Sequence, residues 1–235
     1  MRKLGTADYV SLLLIVPFSI YFISMIVYPF VHGDWDYVQS VWSRWQGLNV
    51  GVLAFISSVI LFSAARYNSE KQREREFVAS MAFLPASHNE LVEYLKRCAN
   101  YYKLAWEGDT FDLFLSAPLS HRDVFQNCIR HANPEVGAYM VEFLSNLQLI
   151  DARMQYINEY GTAPDLLMED FLLLGELKVM VDKILCFSRG EITVLNNHVT
   201  WNDYYSAYTT LGVSVHSIFT KNKGSLKDYV IKSVV

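Results

Sequence analysis

Six histidines and three cysteines are the residues of this 235-residue chain best suited to hold a metal or act as nucleophiles. Their spacing argues against both uses. Cys98, Cys128 and Cys186 lie far apart with no CxxC or CxxH pairing, so they read as buried, reduced thiols. The histidines, at positions 32, 88, 121, 131, 198 and 216, form no HExxH and no other ligand pattern. His121 and His131 are ten positions apart, and a zinc site there would depend on the fold bringing them together. His121-Arg122-Asp123 with Asn127 imitates a kinase catalytic loop, but the kinase motif places its Asp and Asn one residue further apart. No glycine loop, DFG or VAIK accompanies it. Gly108-Asp109 and Gly190-Glu191 lack the spacing of phosphate-binding loops, and no GxSxG elbow occurs. The carboxylates Glu169, Asp170 and Glu176 are expected to cover the solvated face of a helix. No catalytic, metal or cofactor residue is therefore assigned, and an enzyme is not expected.

One aromatic group has another possible use. Trp201, Tyr204, Tyr205 and Tyr208 recur at helical spacing and form a single stripe on a helix opened by Thr200. The stripe is either core or a docking surface for a partner. The chain has a formal net charge of −4. Without basic surroundings such a surface favours protein over nucleic acid alone, and sequence-specific nucleic-acid binding is not expected.

The elements that carry these residues differ sharply along the chain. Hydrophobic residues make up 52% and charged residues 19%, a moderate excess over an ordinary soluble domain. It is concentrated at the N-terminus. Residues 1–65 hold six charged side chains, Arg2, Lys3, Asp8, Asp34, Asp36 and Arg44, whereas the rest holds 38. Tyr9 to Val31 is a run of 23 uncharged residues, long enough as a helix for the roughly 30 Å of a hydrocarbon core. It exceeds the apolar region of a signal peptide, and His32-Gly33-Asp34-Trp35 is a poor cleavage context, so the reading is a retained span. Trp45 to Ala65 is a second uncharged stretch, of 21 residues. Pro17 and Pro29 fall in the first span, where Pro17 is expected to kink the helix. Trp42, Trp45, Tyr28 and Tyr37 gather at the connection, as aromatic rings do at membrane interfaces.

Six Lys and Arg flank the outer ends of the two spans, against Arg44 alone in the connection. That asymmetry places both termini in the cytoplasm. Within the second span, Gly47 and Gly51 form a GxxxG, continued by Ala54 and Ser58. Small residues let helices approach closely in lipid. The stripe either joins second spans of several copies or packs against the first span. Asn49 and Gln46 near the same end bond across an oligomer, line a polar path or simply meet interfacial water.

Beyond Ala65 the pattern becomes that of an all-α domain. Arg66 to Glu76 lacks a helix breaker, so the second span should continue as a juxtamembrane helix over 66–84. Ser87-His88-Asn89-Glu90 fits a capping box, Asn133-Pro134-Glu135 and Pro164-Asp165 read as helix starts, and Thr200-Trp201-Asn202-Asp203 as a fourth, ahead of a helix to His216. Glu191 to Val199 alone looks like a strand. The expected organisation is a membrane hairpin over 1–65 (spans 9–31 and 45–65), the juxtamembrane helix over 66–84, and a helical cytosolic domain over 85–235.

The span beginning Trp45-Gln46-Gly47 and running on through Arg66 to Glu76 resembles the two-transmembrane effectors of bacterial retron antiphage systems. That resemblance implies a protein of the bacterial inner membrane held inactive by a reverse transcriptase and its RNA–DNA hybrid. Once released, it would damage the membrane and abort infection. The residues alone point to a regulated membrane effector that acts on the bilayer as a homo-oligomer, because two spans are too few for a pore. The alternative is a membrane-tethered adaptor or sensor that positions a cytosolic partner and permeabilises nothing.

Overall fold

The computed structural model describes residues 18–108 and 117–234, and the chain divides between Ser69 and Glu70 into two units. Tyr9 to Pro17, the first part of the expected first span, and with it the expected Pro17 kink, lie outside the described residues. The fold is mostly helical, as the patterning predicts.

In the N-terminal unit the described part of the first apolar run is helix α1, Phe18–His32, which is shorter than a span. It widens to a π-helical turn at Ile23–Val27, just before Pro29. Proline has no N–H for the carbonyl four residues back, here that of Met25. The indole Nε1–H of Trp42 donates to that carbonyl at 2.8 Å. Trp42 belongs to α2, Trp35–Arg44, which occupies the connection and is capped by the Asp34 side chain accepting from the Tyr37 N–H at 3.0 Å. Helix α3, Gln46–Met81, follows. Among the described residues it alone is long and apolar enough to cross a membrane, and none of them buries its most apolar stretch. It passes from the apolar segment into Arg66–Glu76 without a break, as expected, and stops at Met81.

The C-terminal unit contains α4 (Leu84–Glu107), α5 (Ser120–His131), α6 (Pro134–Tyr160), α7 (Pro164–Ser188), α8 (Trp201–Leu211) and α9 (Leu226–Val234). A two-residue antiparallel hairpin, β1 (Phe219–Thr220) with β2 (Gly224–Ser225), precedes α9. Three of the four predicted helix starts appear as caps or first-turn prolines. Asn133 accepts from the Val136 N–H at 2.8 Å, Pro164 opens α7, and Thr200 with Asp203 forms a complete capping box. The fourth is corrected. Ser87 is buried inside α4, which starts three residues earlier with a proline in its first turn. Two other expectations also shift. Residues 191–199 are irregular rather than a strand, and α8 ends at Leu211 because Gly212 takes a left-handed conformation at φ 72°.

Helix α7 is the hub, packing against α4, α6, α8 and α9. Its apolar faces bury Leu167, Phe171, Leu174 and Leu177, each worth about 1.5–3 kcal/mol when fully removed from water. Phe171 meets Tyr102 of α4 edge-on at 5.8 Å, and Phe125 of α5 stacks on Phe143 of α6 at 5.3 Å. The approach of α8 is closest at Gly175, where a β-carbon would lie 2.7 Å from the Tyr208 hydroxyl and 2.9 Å from the Tyr204 ring. That hydroxyl donates to the Phe171 carbonyl at 3.0 Å.

Candidate functional site

Among the described residues the small-residue face of α3 is open: a β-carbon built at Gly47 or Gly51 meets nothing within 4 Å, and Ala54 and Ser58 are exposed on the same helix. The Ser58 hydroxyl donates to the Ala54 carbonyl at 2.8 Å, so it is satisfied without a neighbouring helix. The contact with α1 uses Asn49 instead, whose Oδ1 accepts from the Tyr21 hydroxyl at 2.8 Å. This commits Asn49 within one chain. The two glycines border an apolar cleft of about 830 Å³ between α1 and α3, shared with Phe18, Tyr21, Met25 and Leu48.

In the C-terminal unit the aromatic group of α8 separates into two pairs. Tyr204 and Tyr208 stack at 6.1 Å and are buried, because helical geometry turns them onto Gly175 of α7. Trp201 and Tyr205 stand 6.1 Å apart, with Tyr205 54% exposed. Of the candidate partner-surface residues, Tyr204 and Tyr208 are core, which corrects their place on a docking surface, and that surface reduces to Tyr205 beside a half-buried Trp201.

The titratable groups are mostly structural. His121 is buried edge-on to Phe125 at 5.9 Å, and burial lowers its pKa. His131 faces Glu76 at 3.0 Å, and the two histidines are not joined in a site. Among the described residues no group of three or more His, Cys, Asp or Glu is placed to hold a metal. Burial pushes the Cys98 thiol up to about 12 and Cys128 up to about 11, and it also raises half-buried Cys186. None of the three is poised as a nucleophile. The expected solvated acidic face on α7 is also corrected. Asp170 is 3% exposed and pairs with Arg153 at 2.6 Å, its carboxyl raised by burial against the pull of that guanidinium. Buried Lys178 pairs with Asp182, which also meets His88 at 3.1 Å. Burial works against the Asp182 carboxylate, but the hydrogen bonds from His88 and Lys178 outweigh it and hold its pKa below the usual value.

Glu176 is the exception. It is half-buried, and among the described residues it has neither a hydrogen-bond nor an ion-pair partner. Burial, then the nearby Glu142 carboxylate, raises its pKa. It lines a cleft of about 600 Å³ built by α7, the segment before α8, α8 itself and α9. Asn197, His198, Trp201 and Tyr204 contribute polar and aromatic walls, and Leu172, Val199 and Ile231 apolar ones. The segment is pinned by Lys183, whose Nζ donates to the Asn196 carbonyl at 3.0 Å and the His198 carbonyl at 2.6 Å. Sequence reasoning missed this cleft because its walls come from segments without a shared local pattern.

The chain matches no known family, and no curated protein or solved structure is similar to it.

Proposed function

We propose that the chain is a membrane effector of antiviral defence, anchored in the bacterial inner membrane by two spans with both termini cytoplasmic. Its C-terminal unit is the control element and α3 the assembling element. The observation that carries this reading is the open Gly47–Ser58 face on the membrane-length helix α3. In lipid, helices associate through close backbone approach and not through hydrophobic exclusion from water. A small-residue face whose glycines have no close neighbour among the described residues is therefore suited to a second copy. In this reading a reverse transcriptase with its RNA–DNA hybrid restrains the protein, and its release lets oligomers disrupt the membrane and abort infection. No cofactor enters this reading, nor does catalysis.

Membrane potential and dye entry after induction in bacteria test it, comparing wild type with Gly47→Leu/Gly51→Leu at matched membrane abundance. A β-carbon at either position meets nothing within 4 Å among the described residues, and because both glycines border the cleft to α1 the helicity of the variant is checked beside its membrane abundance. Depolarisation by the wild type alone is the expected result. Equal depolarisation by the variant refutes assembly through this face. The second reading, a tethered adaptor or sensor, is favoured by exposed Tyr205 beside half-buried Trp201. It requires an intact potential even during phage infection in the native gene context.

A further inference from the structure

Among the described half-buried and buried carboxylates of the C-terminal unit, the surroundings of Glu176 call for something from outside. A carboxylate drawn partly out of water normally gains a counter-charge or a set of donors. Asp170 has Arg153, Asp182 has Lys178 and His88, and Glu169 has Lys223 at 2.8 Å. Glu176 has none of these and faces a cleft large enough for a ligand.

The remaining walls narrow the chemistry. Tyr204 borders the cleft, is only 4% exposed, and its hydroxyl has no hydrogen-bond partner among the described residues. Asn197 spends its amide on Glu142 at 2.7 Å, leaving its carbonyl oxygen as an acceptor. Trp201 offers a π surface that already attracts a cation, since the Lys227 ammonium lies 6.0 Å from its ring centroid. The lining contains a half-buried carboxylate and no Lys or Arg, so its charge disfavours an anion. A metal is equally ill served, because one carboxylate with aromatic neighbours supplies too few hard oxygen ligands. An organic cation suits the carboxylate, the aromatic wall and the apolar wall together. Its N–H groups meet the carboxylate and the carbonyl oxygen, its charge lies against the rings, and its alkyl chain lies along Leu172, Val199 and Ile231.

We propose that the cleft between α7, α8 and α9 binds an alkylammonium or alkylguanidinium group, with Glu176 as its counter-charge. Such a group is carried by free amines and by the lysine and arginine side chains of proteins, and the cleft reads the chemistry common to both. Occupancy would tie α9 and the 196–200 segment to α7, giving the unit a ligand-bound state that does not depend on how α3 behaves. The inference is independent of the proposed membrane activity.

Equilibrium dialysis of the full chain in a non-ionic detergent tests it, with radiolabelled agmatine as one probe and an N-acetylated, amidated arginine peptide as the other. Butylurea, an uncharged relative, is the control. Saturable binding at one site per chain is expected, weakened at least tenfold by Glu176→Gln and several-fold by Trp201→Leu, and unchanged by Glu159→Gln at a distant exposed carboxylate. Ile231→Trp, which fills the cleft from α9, abolishes binding while leaving the carboxylate in place, and it serves if Glu176→Gln does not fold. Tighter binding of agmatine identifies a free amine as the natural source, and tighter binding of the peptide a basic side chain. The proposal fails if neither probe binds saturably, if butylurea binds as well as agmatine, or if binding survives both Glu176→Gln and Ile231→Trp.

Discussion

Replacing Gly175 by alanine puts a methyl group where the tip of Tyr208 already sits. The new carbon would lie 2.7 Å from the hydroxyl oxygen, 2.8 Å from the carbon bearing it and 2.9 Å from the Tyr204 ring, all well inside van der Waals contact. Neither ring can swing aside freely, since Tyr208 is fully buried and Tyr204 nearly so. Overpacking of this kind costs about 1–3 kcal/mol. Displacing the hydroxyl from the Phe171 carbonyl forfeits a bond worth about 1 kcal/mol. Alanine returns about 1 kcal/mol through its better helix propensity. The net expectation is a loss of about 1–3 kcal/mol, read as a fall in Tm of about 2–4 °C for each kcal/mol in a unit of this size. Thermal unfolding of the full chain in detergent, followed by near-ultraviolet circular dichroism, gives the number. Tyr208→Phe removes the closest clashing atom. The double variant should therefore be more stable than the two single losses added together, by about 0.5 kcal/mol or more. A neutral or stabilising Gly175→Ala, or strict additivity with Tyr208→Phe, would refute the packing of α8 on α7 described above.

Two further predictions concern the buried charges of α7. Arg153→Met strands the Asp170 carboxylate, whose side chain is 5% exposed, and should destabilise the unit by about 2–3 kcal/mol, at or below the lower end for breaking a buried pair because Arg153 itself is partly exposed. Burial already raises the folded-state pKa of Asp170 above its ordinary 3.8. Loss of the guanidinium raises it further, so the penalty is full above the variant's own raised pKa and fades as pH falls to the wild-type folded value and below, and Asp170→Asn in the same chain should restore most of the lost Tm. Asp182 behaves in the opposite sense. Its folded pKa is held below 3.8, so its stabilisation is present above that pH and is lost on further acidification. The difference in Tm between wild type and Asp182→Asn should close there, and a difference that persists unchanged would refute the assignment.

Local signals were legible where one segment carries the whole cause. Asn133, Pro164 and Thr200 announce helix starts because a cap involves only its own first turn. The run from Gln46 through Glu76 announces a single helix because nothing interrupts it. Ser87 misled because a proline two residues earlier, Pro85, already served the first turn of α4. The strand-like composition of 191–199 met no partner strand, and Lys183 holds part of that segment in an irregular path instead. Burial of Asp170 and Lys178 was invisible because each depends on a partner that the sequence does not mark, Arg153 on α6 in one case and Asp182 one turn on in the other. Tyr204 and Tyr208 could be read as either core or surface until Gly175 was seen to admit them. The small-residue face on α3 was legible by period, but the apolar cleft that its glycines share with α1, and the contact of Asn49 with Tyr21 beside it, were not.

Pro29 and Trp42 share a single obligation, because the carbonyl that one leaves unserved is the carbonyl that the other serves. Their mutational fates are therefore linked in a definite order. While Pro29 is present, losing the indole N–H leaves the Met25 carbonyl without that donor. After Pro29→Ala supplies a main-chain N–H, position 42 is free to change. The route Pro29 first, Trp42 second is thus passable, and the reverse order crosses a less stable intermediate. In a mutational scan of the N-terminal unit the cost of losing Trp42 should be smaller after Pro29→Ala than before it, and drift in related chains should keep both residues or release the tryptophan only after the proline.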